Sequence, residues 1–360
     1  MTDTIEATLG DLRQERLEIE STLRSRSGEL TEGSAAELDR RYGKLQAAFA
    51  NLAGKASSES VRIEIMLELI RIMENRLVYL ENFAYEPTSD NRGLATLAGR
   101  FLEYLEESRS TVLTPLERTY FRGITALHAG EGERARAELE AACASEESDE
   151  ANDIKYKSYV ILGNLLHQER RYEAARDAHD RSLKYSGNEN VAAQALAFKA
   201  LNCYALQSYD EALSLFEEAL SRFRPDEPFF NSYFHRNALL FCGSIHVVRK
   251  EYAKATSCYR RVLDHVEPSS YDYFDALSQI GRISYAEGRY DEAIEALSRA
   301  VESHRFSENE HLVDTYFWLA RSYVKKNQPQ EAKELLEKIT ASEVQYPKKP
   351  QAAELLKQVS

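Results

Sequence analysis

The chain has 360 residues, 43% hydrophobic and 29% charged, and its 46 basic against 59 acidic residues give a net charge of −13. That balance excludes a general nucleic-acid binder and a protein docked on anionic lipid, both of which need a basic face. With 15 glycines and 8 prolines, turn residues are too scarce for an all-β fold, and helices are favoured.

The first residues, MTDTIEATLGDLRQE, lack the basic and apolar regions of a secretion signal. No run of about 18 apolar residues is present to span a bilayer, so a cytoplasmic location and no membrane partner are expected. Residues 2–25 place Ile5, Leu9, Leu12, Ile19 and Leu23 at alternating four and three spacing, with Arg16 in the remaining slot. Residues 35–53 repeat the pattern with Leu38, Tyr42, Leu45, Phe49 and Leu52. Arg16 weakens this seam; its stem is expected to pack while its head reaches water. The linker RSRSGELTEGS turns the chain back, so an antiparallel helical hairpin is expected, with a seam on which a homodimer is able to form.

Residues 59–82 carry two apolar stripes. One is Val61, Ile65, Leu69, Ile72 and Leu80; the other is Ile63, Met66, Ile70, Met73 and Leu77. A helix apolar on two sides is sandwiched, here between the hairpin and the helices C-terminal to it. Residues 91–110 read as its antiparallel partner. Ala95 lies 40 residues before Ala135, which admits this pair as a decayed copy of the repeat beyond.

From about residue 112 one pattern recurs six times. A small residue is followed twelve positions later by alanine: Gly123/Ala135, Gly163/Ala175, Ala200/Ala212, Gly243/Ala255, Gly281/Ala293 and Ala320/Ala332. Four copies carry tyrosine three before the alanine, at 172, 209, 252 and 290. Successive alanines lie 40, 37, 43, 38 and 39 apart. The fixed interval is that of two antiparallel helices crossing closely at small residues across a short turn. The variable interval is the joint between pairs, where YSGNEN, RPDEP, VEPSS and RFSENE break the helices. One such pair cannot bury its apolar face alone, whereas a stack can.

The segments LGNLLHQERRYEAARDAHDRSL (162–183), ALQSYDEALSLFEEAL (205–220) and AEGRYDEAIEALSRAV (286–301) resemble the tetratricopeptide repeat (TPR), in a variant with long units. Leu162-Gly163 matches the family's leucine–glycine pair. Phe216 and Tyr259 match its aromatic in the second helix, where His179 stands in one copy. The expected fold is all-α: a right-handed TPR superhelical solenoid over 89–348, preceded by a helical hairpin or bundle over 1–88 and closed by a capping helix over 349–360.

The resemblance implies that first helices line a concave face where partners bind. The inward positions are three before, one after and four after the small residue. They supply the candidate partner-binding residues Tyr120, Asn164, His167, Leu201, Tyr204, Leu240, Val247, Arg282, Tyr285, Phe317 and Arg321, with Lys325 a turn further on. Arg282 and Arg321 occupy equivalent places in adjacent units. A segment with an apolar anchor and a carboxylate suits them through charge-assisted bonds. The alternative has them spent on Asp275 and Asp314, two turns earlier on their own helices. In TPR domains that clamp chaperone carboxyl termini a Lys and a second Asn are also needed; Val160 and Leu201 stand there instead.

No zinc-protease, phosphate-loop, serine-nucleophile or kinase signature is present. The eight histidines are dispersed and the four cysteines read as buried reduced thiols, so no cofactor, metal or catalytic residue is expected. The expected function is a non-catalytic scaffold or adaptor for a peptide or protein segment. The alternative is a peptide-responsive signalling regulator, since a helical bundle before an array of about 40-residue units is similar to Rap-type bacterial quorum-sensing regulators.

Overall fold

The computed structural model describes residues 2–25, 32–75, 92–107, 112–145, 151–227, 232–305 and 307–359. Among these there are 17 helices and no strand. The chain divides into two units, Met1–His235 and Arg236–Ser360.

In the first unit α1 (Thr2–Ser25), α2 (Glu32–Lys55) and α3 (Glu59–Asn75) pack on one another, and α3 also packs on α5 (Pro115–Ala129). Both described stripes of α3 are used: Val61, Ile65, Leu69 and Ile72 are buried, and so are Met66, Ile70 and Met73. Leu77, Leu80, most of the hairpin linker and the expected boundary at 88 lie outside the described residues. The seam residues Leu9, Ile19, Leu38, Tyr42, Leu45, Phe49 and Leu52 are buried within this one chain. The apolar face that offered a homodimer seam is therefore covered by the chain's own helices.

The expectation for Arg16 is corrected. Its side chain is buried, and its head stays inside. Nε donates to Glu68 Oε2 at 2.5 Å and Nη1 to Glu20 Oε2 at 2.5 Å. Glu68, buried on α3, also receives Arg71 at 3.0 Å and faces Arg13 at 3.3 Å. A buried guanidinium is tolerated only with such partners.

After α4 (Arg92–Glu107), which lies along α5, the helices run in pairs: α5 with α6 (Gly132–Cys143), α7 (Asn152–Gln168) with α8 (Tyr172–Leu183), and α9 (Glu189–Ala205) with α10 (Tyr209–Arg222). The second unit starts within α11 (Ser232–Val248) and holds α12 (Tyr252–Leu263), the pair α13 (Tyr271–Ala286) and α14 (Tyr290–Ser303), the pair α15 (Glu310–Lys325) and α16 (Pro329–Ala341), and α17 (Lys349–Val359). The last helix packs on α16, where Ala352 is buried and Leu355 and Leu356 are half-buried.

The recurring small residues are close-approach points. A Cβ on Gly281 would lie 2.4 Å from Leu297 Cγ and 3.3 Å from the Ala293 carbonyl oxygen. A Cβ on Gly163 would lie 2.4 Å from the His179 ring. The small residue thus sits beneath the side chain one turn beyond the alanine.

The turns are equally repetitive. Five residues before each alanine stand Gly130, Arg170, Gln207, Lys250, Gly288 and Asn327, all left-handed with φ between 57° and 80°. Each time the next residue's N–H bonds back five positions, as Glu131 does to Ala126 and Glu251 to His246. This is the Schellman ending, which satisfies the last carbonyls of the first helix. In the joints, Asn188, Ser270 and Asn309 each accept from the third N–H of the next helix. The residues that break one helix therefore start the next.

Candidate partner-binding surfaces

The candidate residues sort by their position in the repeat. Residues three before the small residue are mostly buried: Tyr120 at 1% exposure, Ala197 at 2% and Phe317 at 3%. Two of these positions form polar bonds to a neighbouring helix. Tyr120 Oη donates to Glu74 of α3 at 3.3 Å, and Ser278 bonds Thr315 across α13 and α15 at 3.0 Å. Tyr120 and Phe317, expected at the surface, are thus buried instead. Asn164, His167, Leu201, Tyr204, Leu240, Val247, Arg282, Tyr285 and Arg321 are half-buried, and Lys325 is exposed.

Two groups of these residues form recognisable surfaces, one in each unit. In the second unit Arg321 lies over Tyr285 (4.8 Å to the ring centre) and Trp318 (4.9 Å), with Phe317 at 5.7 Å. It forms no ion pair among the described residues. Stacking holds the guanidinium flat and leaves its edge donors open. Arg282 reaches Asp314 Oδ2 at 3.7 Å, a pairing between neighbouring first helices. Neither arginine forms the same-helix pair expected of it. Asp275 is capped by Gln279 at 3.2 Å instead, and burial pushes its carboxyl above the usual range.

Asp314 is the acid that Arg282 and Lys348 share. It accepts from Lys348 Nζ at 2.5 Å, Tyr346 Oη at 2.7 Å and Trp318 Nε1 at 3.0 Å. Burial raises its pKa, but the bonds from Lys348 and Tyr346 and the charge of Arg282 outweigh this and hold it low. Trp318, Tyr346 and Lys348 were missed in the sequence. The signal was present in the chain's single tryptophan, one turn before Arg321.

In the first unit Leu127, Asn164, His167, Leu201 and their neighbours line a cavity of about 240 Å³. His179 lies on its floor, stacked on Phe198 with ring centres 4.9 Å apart. His167 Nδ1 and Asn202 Oδ1 are 2.8 Å apart. Burial pushes the His179 pKa down to about 3, with His167 adding to the effect.

Residues 160–228 and 272–342 each match the tetratricopeptide repeat family, and the six-fold phase of crossings and left-handed turns agrees with both. The chain carries tetratricopeptide repeats. This TPR protein resembles, among solved structures, the C-terminal part of a TPR repeat-containing protein from Cytophaga hutchinsonii. The TM-score is 0.56 at 13% identity, covering 80% of this chain and 99% of that one. It also resembles the apo form of the quorum sensor NprR from B. thuringiensis, with TM-score 0.51 at 16% identity, covering 81% and 78%. Identities this low speak for the all-α TPR solenoid fold alone. No curated protein matches the chain. Among the described residues no group of three or more His, Cys, Asp or Glu is arranged for a metal, and no helix is long and apolar enough to cross a membrane.

Proposed function

We propose that this TPR protein is a non-catalytic, cytoplasmic scaffold whose second unit receives a peptide or protein segment bearing a carboxylate beside an apolar anchor. The observation that carries this is Arg321, stacked on Tyr285 and Trp318 with no acidic partner among the described residues. Arg321 supplies charge-assisted bonds, Arg282 and Lys325 add positive charge, and the rings supply the apolar shelf. Asp314 keeps Lys348 in place and leaves Arg321 to the ligand. Trp318 is the only tryptophan, so its fluorescence reports on the site. N-acetyl-leucine, which joins an isobutyl group to a carboxylate, is expected to change that fluorescence saturably. N-acetyl-leucinamide, without the charge, is expected to bind more weakly, and Arg321→Gln to abolish the difference. Equal responses to acid and amide in the unaltered protein would refute the reading.

A second reading, a peptide-responsive regulator, is favoured by the polar coupling of the N-terminal bundle to the repeats of its own unit. Glu74 of α3 accepts from Tyr120 of α5 and from Lys157 of α7, the latter at 2.8 Å. Polar contacts of this kind exchange at lower cost than a packed apolar seam. Hydrogen exchange of α1–α3 that changes on ligand binding would support it; unchanged protection would leave the scaffold reading alone.

A further inference from the structure

The cavity in the first unit has chemistry of a different kind. No Asp, Glu, Lys or Arg lines it, so a carboxylate or ammonium group entering it would lose water without gaining a permanent counter-ion. Its walls combine Leu127, Ile161, Leu165 and Leu201 with amides and imidazoles. The orientation of these polar groups is set by the bonds they make.

Asn202 Nδ2 donates to the Phe198 carbonyl at 2.9 Å, which fixes the amide with Oδ1 toward His167. Only an N–H can meet that oxygen, so His167 carries its proton on Nδ1. In the neutral imidazole Nε2 is then a lone-pair acceptor. Asn202 is thereby satisfied on both atoms, while the Asn164 amide makes no hydrogen bond among the described residues. Below them His179 is 1% exposed, and neither ring nitrogen has a hydrogen-bond partner. Leucine, phenylalanine or tyrosine stands at the equivalent place in the other repeats. A buried imidazole without partners is costly where an apolar ring would fill the same space over Gly163.

We infer that this cavity is a recognition pocket for a neutral hydrogen-bond donor on an apolar ring, the phenol of a partner's tyrosine side chain, with His167 Nε2 as acceptor and the His179–Phe198 stack as floor. A carboxylate is disfavoured because it would set lone pairs against Nε2 and find no Lys or Arg in the lining to offset its desolvation. An ammonium group is excluded because no acid is present to balance it. A purely apolar ring fits the walls but leaves His167 and Asn164 unanswered. The pocket is chemically opposite to the Arg321 surface and stands or falls separately from it.

The test uses the full chain with ¹³C-labelled histidine, titrated with p-cresol, toluene, acetate and N-acetyl-Gly-Tyr-Gly-amide. The expected result is saturable shifts of the His167 and His179 signals by p-cresol. Its affinity should exceed that of toluene by about fivefold or more, and acetate should give no shift. The tyrosyl peptide should bind at least as tightly as p-cresol. His167→Leu should bring the p-cresol to toluene ratio close to one. Where that variant fails to fold, Leu201→Glu, at the half-exposed mouth, should abolish the p-cresol shifts. Toluene equalling p-cresol, acetate binding, shifts confined to other histidines, or a ratio unmoved by His167→Leu would each overturn the assignment. Exclusion of the peptide while p-cresol binds would overturn the side-chain occupant.

Discussion

Lys250 holds φ at +59°, a region where an L side chain crowds the following carbonyl. Arg170, Gln207 and Asn327 do the same, while Gly130 and Gly288 occupy the same place without cost. Lys250→Gly is therefore expected to stabilise the protein by about 1 kcal/mol, read as a higher urea midpoint at unchanged slope. Gly281 is the opposite case. Gly281→Ala drives a Cβ into Leu297 and is expected to cost about 1–3 kcal/mol in the same assay. Both effects live in residues the sequence brought forward only in part. The small residue at each crossing was legible from its spacing. The bulky residue sixteen positions later was legible only as a position of the TPR resemblance, because its identity changes from Leu139 to His179 to Phe216 to Tyr259; that it covers the small residue needed coordinates. The four left-handed turns without glycine carried no signal at all.

Among the helices, α8 and α3 carry charge problems that only tertiary structure solves. His179 on α8 is held neutral, its pKa near 3 against about 6.5 in the unfolded chain. Between those values the unfolded state binds the extra proton, so stability falls as pH drops below 6.5, by up to about 1.4 kcal/mol per unit for this one group. Denaturant melts between pH 7 and 4 should show a shallower decline for His179→Phe than for the unaltered protein. On α3, Glu68 gathers Arg13, Arg16 and Arg71. Glu68→Gln leaves the buried Arg16 without its main partner and is expected to cost about 3 kcal/mol or more in unfolding free energy. The sequence placed the Arg16 head in water because its partner lies 52 residues away, beyond any local pattern. The apolar stripes of α1, α2 and α3 were legible because a helix repeats its buried face every three or four residues.

Over the whole chain, charge is unevenly shared. Residues 236–360 hold 18 of the basic and 18 of the acidic residues, so the entire −13 belongs to residues 1–235. The segment with Arg282, Arg321, Lys325 and Lys348 is neutral overall, and an anionic ligand meets no net repulsion from its own unit. N-acetyl-leucine binding there is expected to weaken by about threefold or more as salt rises from about 0.05 to 0.5 M, as screened attraction requires. Binding of p-cresol at His167 should be unmoved by the same change, and isothermal titration distinguishes the two. The repeat architecture was readable from one chain because its period is imposed by packing. The binding chemistry was readable only in outline, since Arg282 and Arg321 stood out while Trp318, Lys348 and the orientation of Asn202 needed coordinates.

The left-handed turn also fixes where such a chain is free to change length over generations. A residue inserted between Gly281 and Ala293 would rotate everything beyond it by about 100° about the helix axis, turning the buried side of α14 outward. A residue inserted in a joint such as VEPSS merely lengthens a loop between two capped helices. Insertions and deletions in descendants of this gene are thus channelled into the joints, and the twelve-residue interval is inherited intact.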